Sequence, residues 1–210
     1  MSVIESNHRF TEQFVIESDA IVVARARSAE LGIDPISPAT GAQIAVIAAA
    51  TNPLNMIEIG TGAGVSGLWL FAGAPDATLT TIDIEADHSA EARIAFADGS
   101  ILPARARLIT GRATDVLPRM NERSYDIVLV DADAESMLDY VEHGLRLVRR
   151  GGTVLVTHAL WHGRVADPVQ RDETTSGYRL LLKEIAGSDA VISSLSAVGD
   201  GLLQLTKRTD

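Results

Sequence analysis

The chain has 210 residues, a formal charge of −10 at pH 7 and 46% hydrophobic residues, which are enough for one sizeable core. The negative charge repels phosphate backbones and anionic lipid, so nucleic acid and membrane surfaces are poor partners. Because the sequence contains no cysteine, disulfides, zinc–thiolate sites and a cysteine nucleophile are excluded. The charged N-terminus has no signal-peptide core and no apolar run is long enough for a membrane span, so we expect a cytoplasmic protein.

We expect one domain over residues 1–210, with a helical cover at 1–35 and the core at 36–210. Residues 4–31 carry apolar side chains at helical positions, including Phe10 and Phe14, and predict a helix that Gly32 ends. This segment is either a plain cover or a lid over a substrate. Ser37 and Pro38 are typical of a helix start, and they predict a second helix that reaches about Ala50.

From residue 56 onward, apolar strand-like runs alternate with helix-like segments. We predict strands near 56–59, 78–83, 106–110, 125–130 and 153–157, and helices near 65–73, 87–97, 114–120 and 136–148. Strands rich in Val, Ile and Leu that alternate with helices are typical of a parallel sheet covered on both faces. The pattern therefore predicts an α/β fold.

The C-terminal region differs from this alternation. Residues 191–197 and 202–207 are two strand-like runs joined by Val198-Gly-Asp-Gly201, which is a hairpin signal. They predict a seven-stranded, mostly parallel sheet of the Rossmann-like kind with an antiparallel C-terminal strand. The one long loop, at about 158–171, is expected to be functional or disordered.

The stretch Met56–Gly67 combines a short apolar strand with glycines at 60, 62, 64 and 67 and the start of a helix. Glycines let the backbone turn sharply and approach a ligand closely, because no Cβ is in the way. The helix that follows points free N–H groups at the turn. This layout is typical of a nucleotide-binding βα unit.

Two cofactors fit such a turn, NAD and S-adenosylmethionine (SAM). Residues Gly62–Gly67 match the dinucleotide fingerprint, and Asp83 ends the next strand about 20 residues later, where an acid binds a ribose diol. Glu58, inside the first strand, favours SAM, because an acid suits an ammonium and a sulfonium better than a pyrophosphate. Ser66, near the helix start, is positioned to bind the carboxylate of that cofactor.

Five segments in order carry a resemblance to a known family: Glu58–Ser66, Thr81–Ile84, Asp126–Asp133, Gly151-Gly152 and Leu160–Val165. They resemble the bacterial O-methyltransferases related to catechol and caffeoyl-CoA O-methyltransferases (O-methyltransferase family 3), from about Ile36 to the C-terminus. The resemblance implies the SAM-methyltransferase version of the Rossmann-like fold. It also implies a SAM-dependent transfer of a methyl group to a hydroxyl of a small, phenolic acceptor. It also implies a homodimer, whose N-terminal region helps to form the dimer and the substrate mouth.

The strand ends and the resemblance together predict the cofactor site. The resemblance places Ile36 against the methionine portion of SAM. The candidate cofactor-binding residues are Ile36, Glu58, Gly60, Thr61, Gly62, Ser66, Asp83, Ile84, Ala113, Asp131 and Asp133.

The resemblance also implies that Asp131 holds a divalent metal that chelates the acceptor. The family usually has a lysine where Ala134 stands, and an aspartate and an asparagine where Thr157 and His158 stand. With those partners replaced, one carboxylate is weak support for a hard cation. We therefore predict His158 and Asp131 as the catalytic residues. His158 acts either as a general base without metal, or with Asp131 as a ligand of a softer divalent ion.

Three functions remain open from the sequence: the O-methyltransferase, a SAM-binding protein whose catalysis has lapsed, and an NAD-dependent oxidoreductase. The replacements at 134, 157 and 158 favour the second, and the glycine fingerprint alone favours the third. We expect His162 and Arg164 to shape acceptor binding, and His8, His88 and His143 to be surface residues.

Overall fold

The computed structural model describes residues 2–209, which form eight α-helices and seven β-strands in this part of the chain. The helices are α1 (Val3–Phe14), α2 (Asp19–Glu30), α3 (Pro38–Thr51), α4 (Val65–Gly73), α5 (Ala86–Asp98), α6 (Ala113–Val116), α7 (Met137–Leu147) and α8 (Glu173–Ala186). The strands are β1 (Asn55–Ile59), β2 (Thr78–Asp83), β3 (Ala106–Thr110), β4 (Tyr125–Val130), β5 (Val148–Val156), β6 (Val191–Ser196) and β7 (Leu202–Lys207).

The strands form one sheet in the order β3-β2-β1-β4-β5-β7-β6. The pairs from β3 to β5 are parallel, whereas β7 runs antiparallel to both β5 and β6. The predicted C-terminal hairpin is therefore confirmed, and β1 lies in the interior of the sheet. The strand order reverses between β1 and β4, and ligands of open α/β sheets bind beyond the carboxyl ends of strands at such a point.

The sheet is buried on both faces because side chains of its central strands alternate between two cores. Met56 of β1 packs in a cluster with residues of α2 to α5, such as Phe71 and Phe96. Ile57 and Ile59 belong to the opposite cluster, which includes residues of α7 and α8. This confirms the prediction of helices on both faces of a mostly parallel sheet.

The single helix predicted over 4–31 is wrong, since the chain forms α1 and α2 with a break at residues 15–18. Val15 is extended, and the Ser18 hydroxyl accepts a hydrogen bond from Ile21 N–H at 3.4 Å. A serine cap of this kind begins a new helix, and the local sequence offered that signal in Ser18-Asp19. Gly32 does follow α2 with φ +71°, as predicted.

Helix α8 was not predicted. Asp172 caps it by accepting Thr175 N–H at 3.0 Å, and Tyr178, Leu181 and Ile185 face the core. The predicted helix at 114–120 is shorter than expected, because a 3-10 turn over Leu117–Arg119 follows α6. Among the described helices, none has the length and apolar character needed to cross a bilayer.

Candidate active site

A cleft of about 450 Å³ opens at the carboxyl ends of β1, β2 and β4. Its volume is within the range of small-molecule and cofactor sites. A small recess of about 50 Å³ adjoins it and shares Gly60, Gly62 and Asp131 with it. The predicted cofactor residues that line the cleft are Gly60, Gly62, Asp83, Ile84, Ala113, Asp131 and Asp133, and Thr61 and Ser66 line the recess.

The glycine turn lies directly against the end of β4. Gly60, Gly62 and Gly64 have φ of +90°, +49° and +91°, a region that residues with a Cβ rarely adopt. A Cβ on Gly60 would lie 2.0 Å from the carbonyl oxygen of Asp131, so only glycine fits there. Gly64 precedes α4 without a side-chain cap, and the first N–H groups of this helix are therefore available to an anion.

Asp83 fixes the glycine turn to the end of β2. Its Oδ2 accepts hydrogen bonds from Thr61 N–H at 3.0 Å and Gly62 N–H at 2.9 Å. Its Oδ1 accepts from Glu85 N–H at 2.9 Å and lies 3.2 Å from His88 Nδ1. His88 thus lines the cleft, with 24% of its side chain exposed, and is more than the plain surface residue that the sequence suggested. A ribose diol at this carboxylate would share Oδ1 with His88.

Glu58 lies beneath the turn and has no exposed surface. Thr81 donates a hydrogen bond to Oε2 at 2.6 Å, whereas Oε1 has no hydrogen-bond partner among residues 2–209. Burial, with a smaller contribution from the nearby carboxylates of Asp131 and Asp83, raises the pKa of Glu58 to about 8, although hydrogen bonds from the Thr81 and Ser66 hydroxyls lower it. Glu58 is therefore a protonated acid at neutral pH, and it is not part of the cleft wall.

Ile36 is also buried, within the core cluster of α2 to α5. Its carbonyl oxygen accepts a hydrogen bond from Arg25 Nη1 at 2.8 Å. The residues just before it, Ile33, Asp34 and Pro35, line the recess instead. Sequence reasoning missed these three residues, although they immediately precede the predicted position.

Asp133 organises the start of α7 from the edge of the cleft. Its Oδ2 accepts from the Tyr140 hydroxyl at 2.6 Å, and Oδ1 accepts from Ser136 N–H at 2.9 Å. Burial opposes ionisation, but the hydrogen bonds from Tyr140 and Ser136 outweigh it and lower the pKa of Asp133. Burial and the bond to Asp133 raise the pKa of Tyr140 to about 12.

The predicted catalytic pair is brought together at the ends of β4 and β5. Asp131 Oδ1 accepts a hydrogen bond from the Thr157 hydroxyl at 2.6 Å and lies 3.7 Å from His158 Nε2. Burial raises the pKa of Asp131, although His158, Thr157 and Ser66 act in the opposite direction. Because Ala134, Thr157 and His158 replace the residues usual in the family, few metal ligands remain near Asp131. Within residues 2–209, no group of three or more His, Asp or Glu side chains is arranged to hold an ion, so these residues do not fit a metal.

Asp200 completes this cluster from the turn between β6 and β7. Its Oδ2 lies 3.4 Å from His158 Nδ1, and both its oxygens accept His162 N–H, at 2.7 and 2.8 Å. Because β7 is antiparallel to β5, the turn that precedes it lies at the carboxyl end of β5, where Leu160 N–H donates to the Asp200 carbonyl at 2.9 Å. Sequence reasoning used this turn only as a hairpin signal and missed its acid.

The loop after β5 is held in a fixed, strained conformation. His158, Trp161 and His162 have φ of 51°, 48° and 53°, values that cluster at functional sites in non-glycine residues. The Trp161 ring stacks on Tyr178, with centroids 5.6 Å apart. The Arg179 guanidinium of α8 holds this loop in place. It donates hydrogen bonds to the carbonyl oxygens of Val165 at 3.0 Å, Arg164 at 2.9 Å and Gln170 at 2.6 Å.

Comparison with known proteins assigns the chain to a family. A family model described as O-methyltransferase matches residues 11–209. The chain belongs to the O-methyltransferase family. A protein of Mycobacteroides abscessus, whose name assigns it to the O-methyltransferases, is 41% identical over 98% of this chain and 96% of its own.

Solved structures share this fold, and one of them is an O-methyltransferase. A Corynebacterium glutamicum protein superposes with a TM-score of 0.90 and 27% identity, over 100% of this chain and 99% of its own. The O-methyltransferase TomG of Streptomyces achromogenes, solved in complex with SAM and involved in tomaymycin synthesis, has a TM-score of 0.83 and 27% identity, over 96% and 95% of the two chains. The predicted fold, enzyme class and SAM cofactor are confirmed, and the NAD-dependent alternative is left without support.

Proposed function

We propose that this O-methyltransferase transfers the methyl group of SAM to a hydroxyl of a small phenolic acceptor, and that His158 is the general base in a reaction without a metal. The arrangement of His158 between two carboxylates is the observation that carries the proposal. Nδ1 lies 3.4 Å from Asp200 and Nε2 lies 3.7 Å from Asp131. A base oriented by a second group on its far side is a recurrent catalytic arrangement.

The cleft and recess fit SAM in size and in chemistry. The uncapped start of α4, with Ser66, would hold the donor's carboxylate, and Asp83 would bind its ribose. Ile84 and Ala113 would flank its adenine from the wall of the cleft. When bound, SAM supplies an electrophilic methyl carbon and a neutral thioether leaving group.

The base is needed because a phenol has a pKa of about 10 and is mostly protonated at neutral pH. If Nδ1–H of His158 donates to Asp200, the lone pair on Nε2 is free to accept the phenolic proton. The imidazolium that forms would then lie between Asp200 and Asp131, whose negative charges stabilise it. Thr157 holds Asp131 in place through its 2.6 Å hydrogen bond.

The test is methyl transfer from SAM to a set of simple phenols, with and without a chelator. We expect the activity to survive the chelator and to fall by ~10²–10⁴-fold in His158→Ala, the usual size of a general-base contribution. Asp200→Asn is expected to lose less activity and to change the pH–rate profile, because it disturbs the orientation of His158. His143→Ala, on α7, is the matched control and should leave the activity unchanged.

Two outcomes would contradict the proposal in different ways. Loss of activity in chelator, restored by magnesium, would mean that other residues rebuild a metal site around Asp131. Binding of SAM without transfer to any phenol would support the alternative of a binding protein with lapsed catalysis, which the replacements at 134, 157 and 158 favour.

We also propose that the chain works as a cytoplasmic homodimer, with residues 1–35 as a cover of the core at 36–210. The exposed apolar face of α1 supports the dimer, since Phe10 and Phe14 are exposed there. The cysteine-free sequence is compatible with a reducing compartment.

A further inference from the structure

The hairpin turn that carries Asp200, residues 198–201, is held on two sides. On the side of the candidate active site, two backbone N–H groups of the loop after β5 donate to the carbonyl oxygens of Gly201 at 3.1 Å and Asp200 at 2.9 Å. On another side, the hairpin turn lies against the start of α3. The place of the Asp200 carboxylate beside His158 therefore depends on α3 as well as on the loop after β5.

Gly199 brings the hairpin turn into close contact with two hydroxyls of α3 and its cap. A Cβ on Gly199 would lie 2.3 Å from Thr40 Oγ1 and 2.8 Å from Ser37 Oγ, so this hydroxyl pair occupies the space of a side chain. Gly199 also has φ +54°, a conformation that favours glycine. About one turn further along α3, Gln43 Oε1 accepts a hydrogen bond from the Ser196 hydroxyl at 3.3 Å. The hairpin turn keeps its place only if the start of α3 keeps its own.

Glu12 of α1 holds the hydroxyl pair in one arrangement. Its Oε1 accepts the Ser37 hydroxyl at 2.8 Å, and its Oε2 accepts Ala39 N–H at 3.0 Å. A serine hydroxyl has one proton, and Ser37 gives it to Glu12, so Thr40 is the donor in the 3.1 Å bond between the two hydroxyls. The Glu12 side chain is only 20% exposed, and hydrogen bonds to a carboxylate are stronger than those between neutral groups. One carboxylate of α1 thus fixes the surface on which the hairpin turn lies.

We propose that Glu12 is a positioning residue for methyl transfer. Through the hydroxyl pair and the hairpin turn, it keeps the Asp200 carboxylate where that group orients the His158 imidazole. The inference rests on the proposed role of His158 as the base and adds a residue outside the site on which that role depends. The distance from Asp200 Oδ2 to His158 Nδ1 is 3.4 Å, near the upper limit of a hydrogen bond, so a displacement of the turn by about 1 Å is enough to break the contact.

The chain offers variants that separate this role from a general loss of stability. Glu12→Ala removes both bonds to the start of α3, whereas Glu12→Gln keeps an oxygen for Ala39 N–H and an amide for Ser37 Oγ. Gly199→Ala leaves α1 attached and acts on the hairpin turn directly, because its Cβ has no room against the hydroxyl pair. Glu142→Ala removes an exposed acid on α7 and is the control for the lost charge.

Two measurements on the full chain test the inference. Methyl transfer from SAM to the phenol that the wild type methylates fastest gives kcat and KM. Nitrogen–proton NMR of labelled histidine, with S-adenosylhomocysteine bound and at a pH where imidazole is neutral, gives the tautomer of His158. Of the signals of the five histidines, those of His158 are the ones that disappear in His158→Ala.

We expect Glu12→Ala and Gly199→Ala to lose about ten-fold or more in kcat, because the base is no longer held in one orientation. The KM for SAM should not change, since neither residue lines the cleft or the recess. In the wild type the proton of His158 should be on Nδ1, and in both variants the two tautomers should be mixed. Glu12→Gln and Glu142→Ala should behave like the wild type in both measurements.

A double-mutant cycle shows whether Glu12 acts through Asp200. In the Asp200→Asn background, Glu12→Ala should change kcat by no more than about two-fold, because the group that it positions is already lost. If the two losses multiply instead, Glu12 supports the fold in general and the inference is overturned. Loss of the folded state in Glu12→Ala, measured by circular dichroism, would overturn it as well.

The outcomes separate this inference from the proposed function. A mixed His158 tautomer in Glu12→Ala and Gly199→Ala, without methyl transfer by any of these proteins, would support the positioning role of Glu12 and overturn the proposed function. Methyl transfer that requires His158 but is unchanged in both variants, with an unchanged tautomer, would leave the proposed function standing and overturn the positioning role.

Discussion

Glu58 is a buried acid with one oxygen unpaired, and its ionisation is linked to the stability of the fold. Burial, the largest cause, raises its pKa to about 8, well above the ordinary value of a glutamate. In the unfolded chain the group ionises near pH 4.5. Its contribution to stability is therefore fully present below that pH and is lost as pH rises through about 8.

This linkage predicts a difference between the wild type and Glu58→Gln. Glutamine keeps the shape of the side chain and cannot ionise. The free energy of unfolding of the variant should therefore lack the decrease between pH 5 and 8.5 that ionisation of Glu58 causes. The wild type should lose stability over the same interval, on the order of a few kcal/mol relative to the variant. Urea unfolding at several pH values measures it, with Glu142→Gln on α7 as the exposed control. Parallel pH dependence in all three proteins would show that Glu58 ionises normally.

At the residue scale, site residues could be predicted from the sequence where they stand at or directly after the end of a strand. Gly60, Asp83 and Asp131 line the cleft as the order of strands and turns requires. Asp200 and Tyr178 were not predictable in the same way, because their places depend on how a hairpin and an unassigned helix pack. Glu58 shows a different limit. The sequence placed an acid near the turn, but only packing decides that it points below the turn into the core.

The strand–turn–helix unit β1–α4 is the element on which cofactor binding depends, and Asp83 of β2 fixes its turn. Replacing Asp83 by alanine removes two N–H···O bonds to the turn and the acceptor for a ribose diol. We expect Asp83→Ala to weaken SAM binding by ~1–3 kcal/mol, as for a lost charge-assisted hydrogen bond.

Calorimetry with SAM, and separately with S-adenosylhomocysteine, measures the change in Asp83→Ala. Asp87→Ala, in the first turn of α5, removes an exposed acid nearby and is the control for net charge. Unchanged affinity in Asp83→Ala, with an intact fold, would remove Asp83 from the donor site. A loss of equal size in His88→Ala would indicate that the pair acts as a unit, since His88 Nδ1 lies 3.2 Å from Asp83.

The elements that the sequence predicted well are those with strong local signals. The run of apolar residues and glycines at 56–67 determined β1, its turn and α4, and the Gly-Asp-Gly turn determined the hairpin. The break between α1 and α2 was missed because one capping serine competes with a long helical pattern. Helix α8 was missed although Asp172 caps it, because Tyr178, Leu181 and Ile185 give only a short apolar face.

At the scale of the whole molecule, helix α1 is attached to the core in an unusual way. The Glu12 carboxylate accepts hydrogen bonds from the Ser37 hydroxyl at 2.8 Å and from Ala39 N–H at 3.0 Å, at the start of α3. The opposite side of α1 carries Val3, Phe10 and Phe14, which are 78%, 70% and 77% exposed. None of the twelve residues of α1, all of them described, is buried. A helix whose polar side faces its own core leaves an apolar face for another surface.

A second copy of the chain is the partner that we propose for this face, and its removal is the last prediction. In size-exclusion chromatography with light scattering, the wild type should have twice the mass of the chain. Phe10→Glu with Phe14→Glu should be monomeric and still folded, because both rings are largely exposed in the single chain and two added carboxylates oppose burial in an interface. Arg9→Glu changes the net charge by the same amount on another side of α1 and should remain dimeric. A wild-type monomer would contradict the prediction, and so would a dimer that tolerates both glutamates, since its interface would then lie elsewhere.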